Sequence, residues 1–169
     1  NAAHELAPVV VADMENGPED CKAFMSQLTA LCIQRGRTCG KPIALVSMDN
    51  CSHNGEKLQM AVMEIAKAWL DNGKIEAADY AYLETQVAFP WSMIDKITPR
   101  PDAKVEEKLL ADGLEEISPF VTSKNTYTAP FVNAEKAQYL VIEDWFPNGR
   151  PALEKAGVII PSRDIVNKV

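Results

Sequence analysis

The chain has 169 residues, which is the length of one ordinary domain. Hydrophobic residues make up 47% of it and charged residues 24%, a composition that excludes a mainly disordered chain. The 17 Lys and Arg against 24 Asp and Glu leave a formal net charge of −7. This is the wrong sign for binding a phosphate backbone, so we expect no nucleic-acid partner.

Apolar runs and cysteines bear on the cellular compartment. The longest apolar runs, Pro8 to Ala12 and Ile43 to Met48, fall far short of the roughly 20 residues that a membrane helix needs. The four cysteines form no CxxC pair, and no signal-peptide pattern precedes them. We therefore expect a cytoplasmic protein without a membrane partner. We expect its cysteines to be small buried hydrophobes: Cys21, Cys32, Cys39 and Cys51. His4 and His53 lie far apart in the sequence, so no metal site is predicted.

The first half of the chain predicts helix, strand and helix in turn. The segment Asn16 to Asp20 places a proline and two acids where a helix begins, and we predict a helix from there to about Arg35. Its predicted apolar stripe consists of Phe24, Leu28, Leu31 and Cys32. The run Ile43 to Met48 is bounded by turn residues and predicts a buried parallel strand. A second amphipathic helix is predicted from about Gly55 to Asp71.

The second half continues this alternation. Gln86 to Phe89 predicts a short strand, and the proline-rich segment from Pro90 to Pro101 predicts a loop. Asp102 can cap a helix that runs to about Ala111, with Gly113 as its left-handed stop. Tyr139 to Ile142 predicts another strand. Helices alternating with short apolar strands indicate an α/β fold, with a sheet packed between helices in three layers, α/β/α.

Polar side chains crowd the segment from Ser47 to Gly55, between the predicted buried strand and the helix that follows it. In open α/β sheets, ligands bind at the carboxyl ends of strands. The side-chain amide of Asn50 can donate an N–H to a carbonyl oxygen that gains negative charge, and Asp49 can orient that amide. The same residue types also cap helices and form turns, so a plain capping turn stays open.

Two later clusters also combine acids and bases. In Phe89 to Pro99, Asp95 and Lys96 stand between prolines that stiffen the segment; the alternative is an exposed ion pair of little energetic value. In Tyr139 to Pro151, two acids end an apolar strand and Arg150 follows a turn. An arginine can bind a carboxylate or phosphate through two hydrogen bonds, although solvated charges at a strand end remain the alternative.

In this order, the three clusters resemble motifs of the mannitol dehydrogenase family, whose members are long-chain dehydrogenases of polyols and sugar acids. Val46 to Gly55 resembles the family's S-C-D-N-x-x-x-N-G, and Phe89 to Pro99 resembles F-P-N-S-M-V-D-R-I-T-P. Val141 to Pro151 resembles V-I-E-D-x-F-x-x-G-R-P. The similarity begins at about Ala23 and continues to the end of the chain.

The resemblance implies a Rossmann-like dinucleotide-binding domain and a metal-independent hydride transfer between NAD(H) and a linear sugar derivative. Asn50 corresponds to the amide that polarises the reacting oxygen, and Asp95 to a carboxylate near the substrate hydroxyls. On the same basis we assign further residues to the substrate, namely Lys96, Asn54 and Arg150, and two to the cofactor, namely Asp49 and Ser47. The family's motif implies no metal.

Trp91 and Lys96 stand where the mannitol enzymes usually have Asn and Arg. This departure favours the sugar-acid branch of the family, with D-mannonate and D-fructuronate as the preferred pair. Mannitol with fructose and altronate with tagaturonate stay open as substrates. A non-catalytic carbohydrate-binding or interaction domain of the same fold is the alternative function, because a fold alone does not guarantee a reaction.

The family's glycine-rich phosphate turn and its general-base lysine do not occur in this sequence. We therefore expect residues 1–169 to be a single domain, the second half of an NAD-binding N-terminal domain whose helical catalytic partner domain lies elsewhere in a longer protein. A secondary alcohol needs a base to accept its proton as the hydride leaves. The chain alone is expected to be inactive.

Overall fold

The computed structural model describes residues 6–95, 98–134 and 139–168. Its helices are α1 (Pro8–Asn16), α2 (Phe24–Thr38), α3 (Asn54–Asp71), α4 (Ala77–Gln86), α5 (Ala103–Ala111) and α6 (Arg163–Val166). Its strands are β1 (Ile43–Ala44), β2 (Val87–Ala88), β3 (Ser92–Asp95), β4 (Phe120–Val121), β5 (Tyr127–Thr128) and β6 (Tyr139–Ile142). Two compact units contain these elements: the described residues of Asn1–Ile94 with Leu140–Val169, and those of Asp95–Tyr139.

In the first unit, helices α1 to α4 enclose the hydrophobic core. Its largest fully buried apolar side chains are Trp69, Phe89, Ile33, Leu83 and Val62. The indole N–H of Trp69 donates to the backbone oxygen of Asp13 at 2.8 Å, so the one polar atom of this side chain is satisfied inside the core. No helix among the described residues is long and apolar enough to cross a bilayer.

The strands of the described residues form three two-stranded sheets. β1 and β2 pair in parallel, with Ile43 opposite Val87, and β3 pairs with β6. The predicted strand from Ile43 to Met48 is therefore much shorter, and its residues are half-buried or exposed instead of buried. Among the described residues, β2 is the one strand paired with β1, so β1 lies at an edge of its sheet and not in its centre.

α2 begins at Phe24, later than predicted, and Pro18–Asp20 is a short 3-10 turn. The buried carboxylate of Asp13 explains the shift, because it accepts the backbone N–H groups of Lys22 at 3.0 Å and Ala23 at 2.7 Å. It thereby fixes the two residues that directly precede α2. Burial raises the pKa of Asp13, but these hydrogen bonds outweigh burial and leave the pKa below its usual value.

The predicted apolar stripe of α2 is wrong at two of its four residues, whereas Cys32 is buried as predicted and Leu28 is half-buried. Phe24 is 71% exposed and Leu31 is 67% exposed, and the helix continues past Arg35 to Thr38. The face that packs against α3 and α4 instead carries Ser26, Thr29, Cys32 and Ile33. Thr29 is tolerated there because its hydroxyl donates to the backbone oxygen of Met25, four residues earlier, at 2.8 Å.

Several other predictions can be compared directly. The helix predicted from Gly55 to Asp71 is confirmed as α3, and the strand predicted over Tyr139 to Ile142 is β6. The strand predicted within Gln86 to Phe89 is β2. The loop predicted from Pro90 to Pro101 is wrong in part, because β3 occupies Ser92–Asp95. Pairing with β6, which is distant in sequence, overrides the local proline pattern.

Helix α4 was missing from the prediction. α4 buries little apart from Tyr82 and Leu83, so its sequence shows no apolar stripe; its one local signal is a capping box formed by Glu76 and Asp79.

The prediction that all four cysteines are buried is wrong for Cys39, which is exposed because it follows the end of α2. Cys32 is buried, and the other two cysteines are half-buried. Burial raises the pKa of the Cys32 thiol.

The second unit is small. α5 is capped as predicted, because the Asp102 side chain accepts the backbone N–H of Lys104 at 2.9 Å, and Gly113 follows it with a positive φ of 92°. β4 and β5 form an antiparallel hairpin. The guanidinium of Arg100 lies 4.6 Å from the centroid of the Tyr127 ring, a cation–π contact within the unit.

Asp79 links α4 to α2 and predicts a pH-dependent stability. Arg37 donates to both carboxylate oxygens, at 2.9 and 2.7 Å, and this bonding lowers the pKa of Asp79. A lowered folded-state pKa stabilises the fold above the unfolded-state pKa, and this stabilisation is lost as the pH falls through the folded-state value. We expect Asp79→Asn to lower the free energy of unfolding by about 1–2 kcal/mol at pH 7.

The deficit of Asp79→Asn should shrink as the pH falls below about 4. Denaturant unfolding at pH 7 and at pH 3 measures it. Asp71→Asn is the matched control, because Asp71 pairs with Lys67 on the exposed surface of α3 and should matter little at either pH. An equal deficit for Asp79→Asn at both pH values would contradict the assignment.

Candidate active site

A loop of polar residues follows β1 and ends at α3. We name this segment, Ser47–His53, the Asn50 loop. Asn50 and Asp49 are exposed and Ser47 is half-buried. His53 has a left-handed backbone, with φ of 56°, and this turn directs the chain into the first residue of α3. The predicted arrangement of a strand, a polar turn and a helix is therefore present, with Asn50 facing solvent.

Asn54 lies behind the Asn50 loop. Its side chain is 2% exposed, and its amide nitrogen donates to the backbone oxygens of Ser47 at 3.3 Å and Asp49 at 3.0 Å. Its amide oxygen accepts the backbone N–H of Ser92 at 3.0 Å. Asn54, which was predicted to bind substrate, thus uses its side-chain amide for hydrogen bonds within the protein. These bonds fix the backbone on the N-terminal side of Asn50.

Ser92 joins the first sequence cluster to the second. Its hydroxyl donates to the backbone oxygen of Ser47 and accepts the side-chain N–H of Asn54 at 2.9 Å. Ser92 is buried and is the first residue of β3. The sequence analysis assigned it no function, although it lies within the motif from Phe89 to Pro99.

Gly55 brings the first turn of α3 against the segment between β2 and β3. A Cβ atom on Gly55 would lie 2.5 Å from the backbone oxygen of Phe89 and 2.6 Å from Cδ1 of Trp91. Such distances are far inside van der Waals contact. The glycine of the first motif is therefore required for the two clusters to pack together.

Aromatic and cationic groups line one side of the loop. The His53 and Trp91 rings are stacked, with centroids 4.4 Å apart and planes at 23°. The guanidinium of Arg163 lies 5.2 Å from the centroid of the Trp91 ring. A cleft of about 240 Å³ opens beside this stack, and its lining includes Cys51, His53, Trp91, Ser92, Met93 and Asn167. Trp91 thus forms one wall of this cleft.

Glu143 joins the second cluster to the third. It is buried, and one carboxylate oxygen accepts the backbone N–H of Trp91 at 3.0 Å while the other accepts Nε of Arg163 at 2.9 Å. The backbone N–H of Glu143 also donates to the backbone oxygen of Trp91 at 2.8 Å. Glu143 therefore shapes the site by fixing the backbone at Trp91.

Of three further residues predicted to bind substrate, the structure describes the side-chain contacts of Arg150 alone. Arg150 donates to Asp144 at 3.1 Å and to Glu154 at 2.6 Å, within its own segment, and the bonds to these carboxylates raise its pKa. Asp95 is the last residue of β3, and the structure describes no side-chain environment for it. Lys96 lies outside the described residues.

A second cleft, of about 160 Å³, lies against the Asn50 loop. Its lining includes Met25, Ser47, Asp49, Cys51, Asn54 and Lys57. Hydroxyl, carboxylate and ammonium groups therefore meet in a cleft close to the carboxyl end of β1, where ligands bind in open α/β sheets. Among the described residues, no cluster of His, Cys, Asp and Glu could hold a metal ion.

Comparison with known proteins assigns the class of this fold and site. The family model of the mannitol dehydrogenase Rossmann domain matches residues 2–155. The chain therefore belongs to the mannitol dehydrogenase family, and its predicted α/β, Rossmann-like fold class is confirmed.

Individual relatives agree with this assignment. The chain is 50% identical over 168 residues to D-mannonate oxidoreductase of Thermotoga maritima, covering 98% of this chain and 31% of the relative. It is 35% identical to polyol:NADP oxidoreductase of Gluconobacter oxydans, covering 88% of this chain and 27% of the relative. The solved structure of Pseudomonas fluorescens mannitol 2-dehydrogenase, a ternary complex with NAD and D-mannitol, aligns with a TM-score of 0.67 at 28% identity, covering 95% of this chain and 29% of that one. The chain thus spans less than a third of the length of these proteins.

Proposed function

We propose that this chain belongs to an NAD-dependent oxidoreductase that interconverts a sugar acid or polyol and its keto form. The observation that carries the proposal is the family match over residues 2–155. It is supported by the exposed Asn50, which lies on the loop after β1 that Asn54 fixes by hydrogen bonds. Within this class we favour D-mannonate and D-fructuronate. The 50% identity to a D-mannonate oxidoreductase supports that choice.

Asn50 is proposed to stabilise charge on the reacting oxygen. Its side chain is exposed, while the backbone beside it is fixed through the carbonyl of Asp49. A preorganised N–H donor aimed at an oxygen that gains negative charge is among the strongest single contributions to catalysis. We place the general base outside residues 1–169, as part of the longer protein.

Cofactor binding is proposed for the cleft beside Ser47 and Asp49. When bound, the nicotinamide cofactor supplies or accepts the hydride. The Ser47 hydroxyl and the Asp49 carboxylate are the polar side chains that we assign to holding it, because both line this cleft at the end of β1. The NAD in the Pseudomonas fluorescens complex supports a dinucleotide as the cofactor of this fold.

The remaining residues are proposed to shape the substrate pocket. We assign a substrate contact to Asp95 and Lys96, and an apolar wall to Trp91, which is stacked on His53. Arg150 and Asn54 are proposed to act on the protein instead, since their described hydrogen bonds go to other residues of this chain. We further propose that the chain is the second half of an NAD-binding domain in a cytoplasmic enzyme.

The substrate proposal is tested by a panel of ketones with the full-length protein. NADH oxidation is measured with fructuronate, tagaturonate and fructose, and each is repeated with NADPH. We expect the largest kcat/KM for fructuronate with NADH, because the chain is 50% identical to a D-mannonate oxidoreductase and has Trp91 where the mannitol enzymes usually have Asn. Exclusive activity on fructose would overturn the sugar-acid assignment, and no oxidation with any ketone would overturn the proposed enzyme.

A further inference from the structure

The backbone of the Asn50 loop has few tethers. Between β1 and α3 no residue belongs to a helix or strand, so side-chain hydrogen bonds must hold the loop. Those described are made by Asn54, by Ser92 and by the hydroxyl of Ser47, the last at 3.4 Å to the N–H of Asp49. At the end of the loop, Nε2 of His53 also lies 3.1 Å from Oδ1 of Asn167. The bonds that reach the backbone next to Asn50 from outside the loop are those of Asn54 and Ser92, two buried side chains.

The hydroxyl of Ser92 is the junction of this network. It donates to the backbone oxygen of Ser47 and accepts from the amide of Asn54 at 2.9 Å. The remaining N–H of that amide donates to the backbone oxygen of Asp49 at 3.0 Å. The oxygen of Asp49 also accepts the backbone N–H of Cys51 at 2.9 Å. Asn50 therefore stands between two backbone groups that the network fixes.

We propose that Ser92 is a positioning residue, whose hydroxyl sets where the Asn50 amide stands relative to the reacting oxygen of the substrate. The inference rests on the proposed function, in which Asn50 donates to that oxygen. Without the hydroxyl, the carbonyl of Ser47 keeps only the longer bond from Asn54, at 3.3 Å, and the amide of Asn54 loses one of its three acceptors, which weakens the buried network that fixes the loop. The loop then relaxes, and the amide of Asn50 is no longer held in position to donate to the reacting oxygen.

A double-mutant cycle in the full-length enzyme tests this. We expect Ser92→Ala to lower kcat about tenfold, with the KM for NADH changed less than about twofold, because misplacing a catalytic group affects the transition state most. In the Asn50→Ala background, Ser92→Ala should change kcat less than about twofold, since the group that it positions is absent. Ser92→Thr keeps the hydroxyl and should retain most of the wild-type kcat.

Ser26→Ala is the matched control. Ser26 is fully buried in α2, and no described hydrogen bond links its hydroxyl to the Asn50 loop, so its loss should leave kcat unchanged. If Ser92→Ala does not fold, the same cycle is run with Ser92→Cys, whose thiol is a weaker donor. Its kcat should lie between those of wild type and a tenfold loss.

The outcomes separate this inference from the function on which it rests. An equal loss from Ser92→Ala with and without Asn50, or a wild-type kcat for Ser92→Ala, would overturn the positioning role alone. Wild-type turnover in Asn50→Ala would overturn the proposed role of Asn50 and the inference with it. A large loss for Asn50→Ala combined with a non-additive loss for Ser92→Ala supports both.

Discussion

Asn50→Ala is expected to lower kcat of the full-length enzyme by roughly 10²–10³, the usual cost of losing one donor to a developing oxyanion. The KM should change much less, because the donor is needed mainly in the transition state. The exposure of Asn50 predicts that folding is unaffected. Steady-state kinetics with fructuronate and NADH, together with thermal unfolding, measure both expectations.

Asn50→Asp sharpens this test. A carboxylate has nearly the same shape as the amide but cannot donate while ionised, and its charge repels the developing negative charge. We therefore expect Asn50→Asp to lose at least as much activity as Asn50→Ala. Asn148→Ala is the control, because Asn148 is also an exposed asparagine but lies in the turn after β6. Turnover within fivefold of wild type in Asn50→Ala would refute the donor role.

Local sequence patterns were sufficient where an element carries its own signals. α3 was predicted from its apolar periodicity, and its length agrees with the structure because the buried face, including Val62, Ile65 and Trp69, repeats at helical spacing. α5 was predicted from the single cap at Asp102, whose side chain makes the expected bond to Lys104. In both cases, the residues that determine the element lie within it or beside it.

Prediction from sequence failed where a distant residue determines the structure. The start of α2 depends on Asp13, which belongs to another helix, and β3 depends on pairing with β6. The same holds for the site: the motifs identified the Asn50 loop, but the role of Ser92 appears only when its hydroxyl meets the carbonyl of Ser47. Arg163 lies outside the three sequence motifs, and its hydrogen bond to Glu143 is evident only in the folded structure.

Gly55→Ala is expected to destabilise the fold by at least about 3 kcal/mol, the upper part of the usual range for overpacking. Replacing Gly by Ala within a helix normally stabilises it by about 1 kcal/mol, so two effects compete. The clash should dominate, because the new Cβ would lie 2.5 and 2.8 Å from the backbone oxygens of Phe89 and Pro90. Backbone atoms cannot rotate away as a flexible side chain can.

The comparison with Gly73→Ala isolates the clash at Gly55. Gly73 has a positive φ of 65° and no atom within 4 Å of an added Cβ, so its substitution should cost only about 1–2 kcal/mol of backbone strain. Thermal unfolding of both variants measures the difference, and equal melting temperatures would contradict it. Because Gly55 follows Asn54 directly, loss of this close approach should also pull the amide of Asn54 away from Ser92. Gly55→Ala protein that still folds should therefore share the kinetic defect of Ser92→Ala.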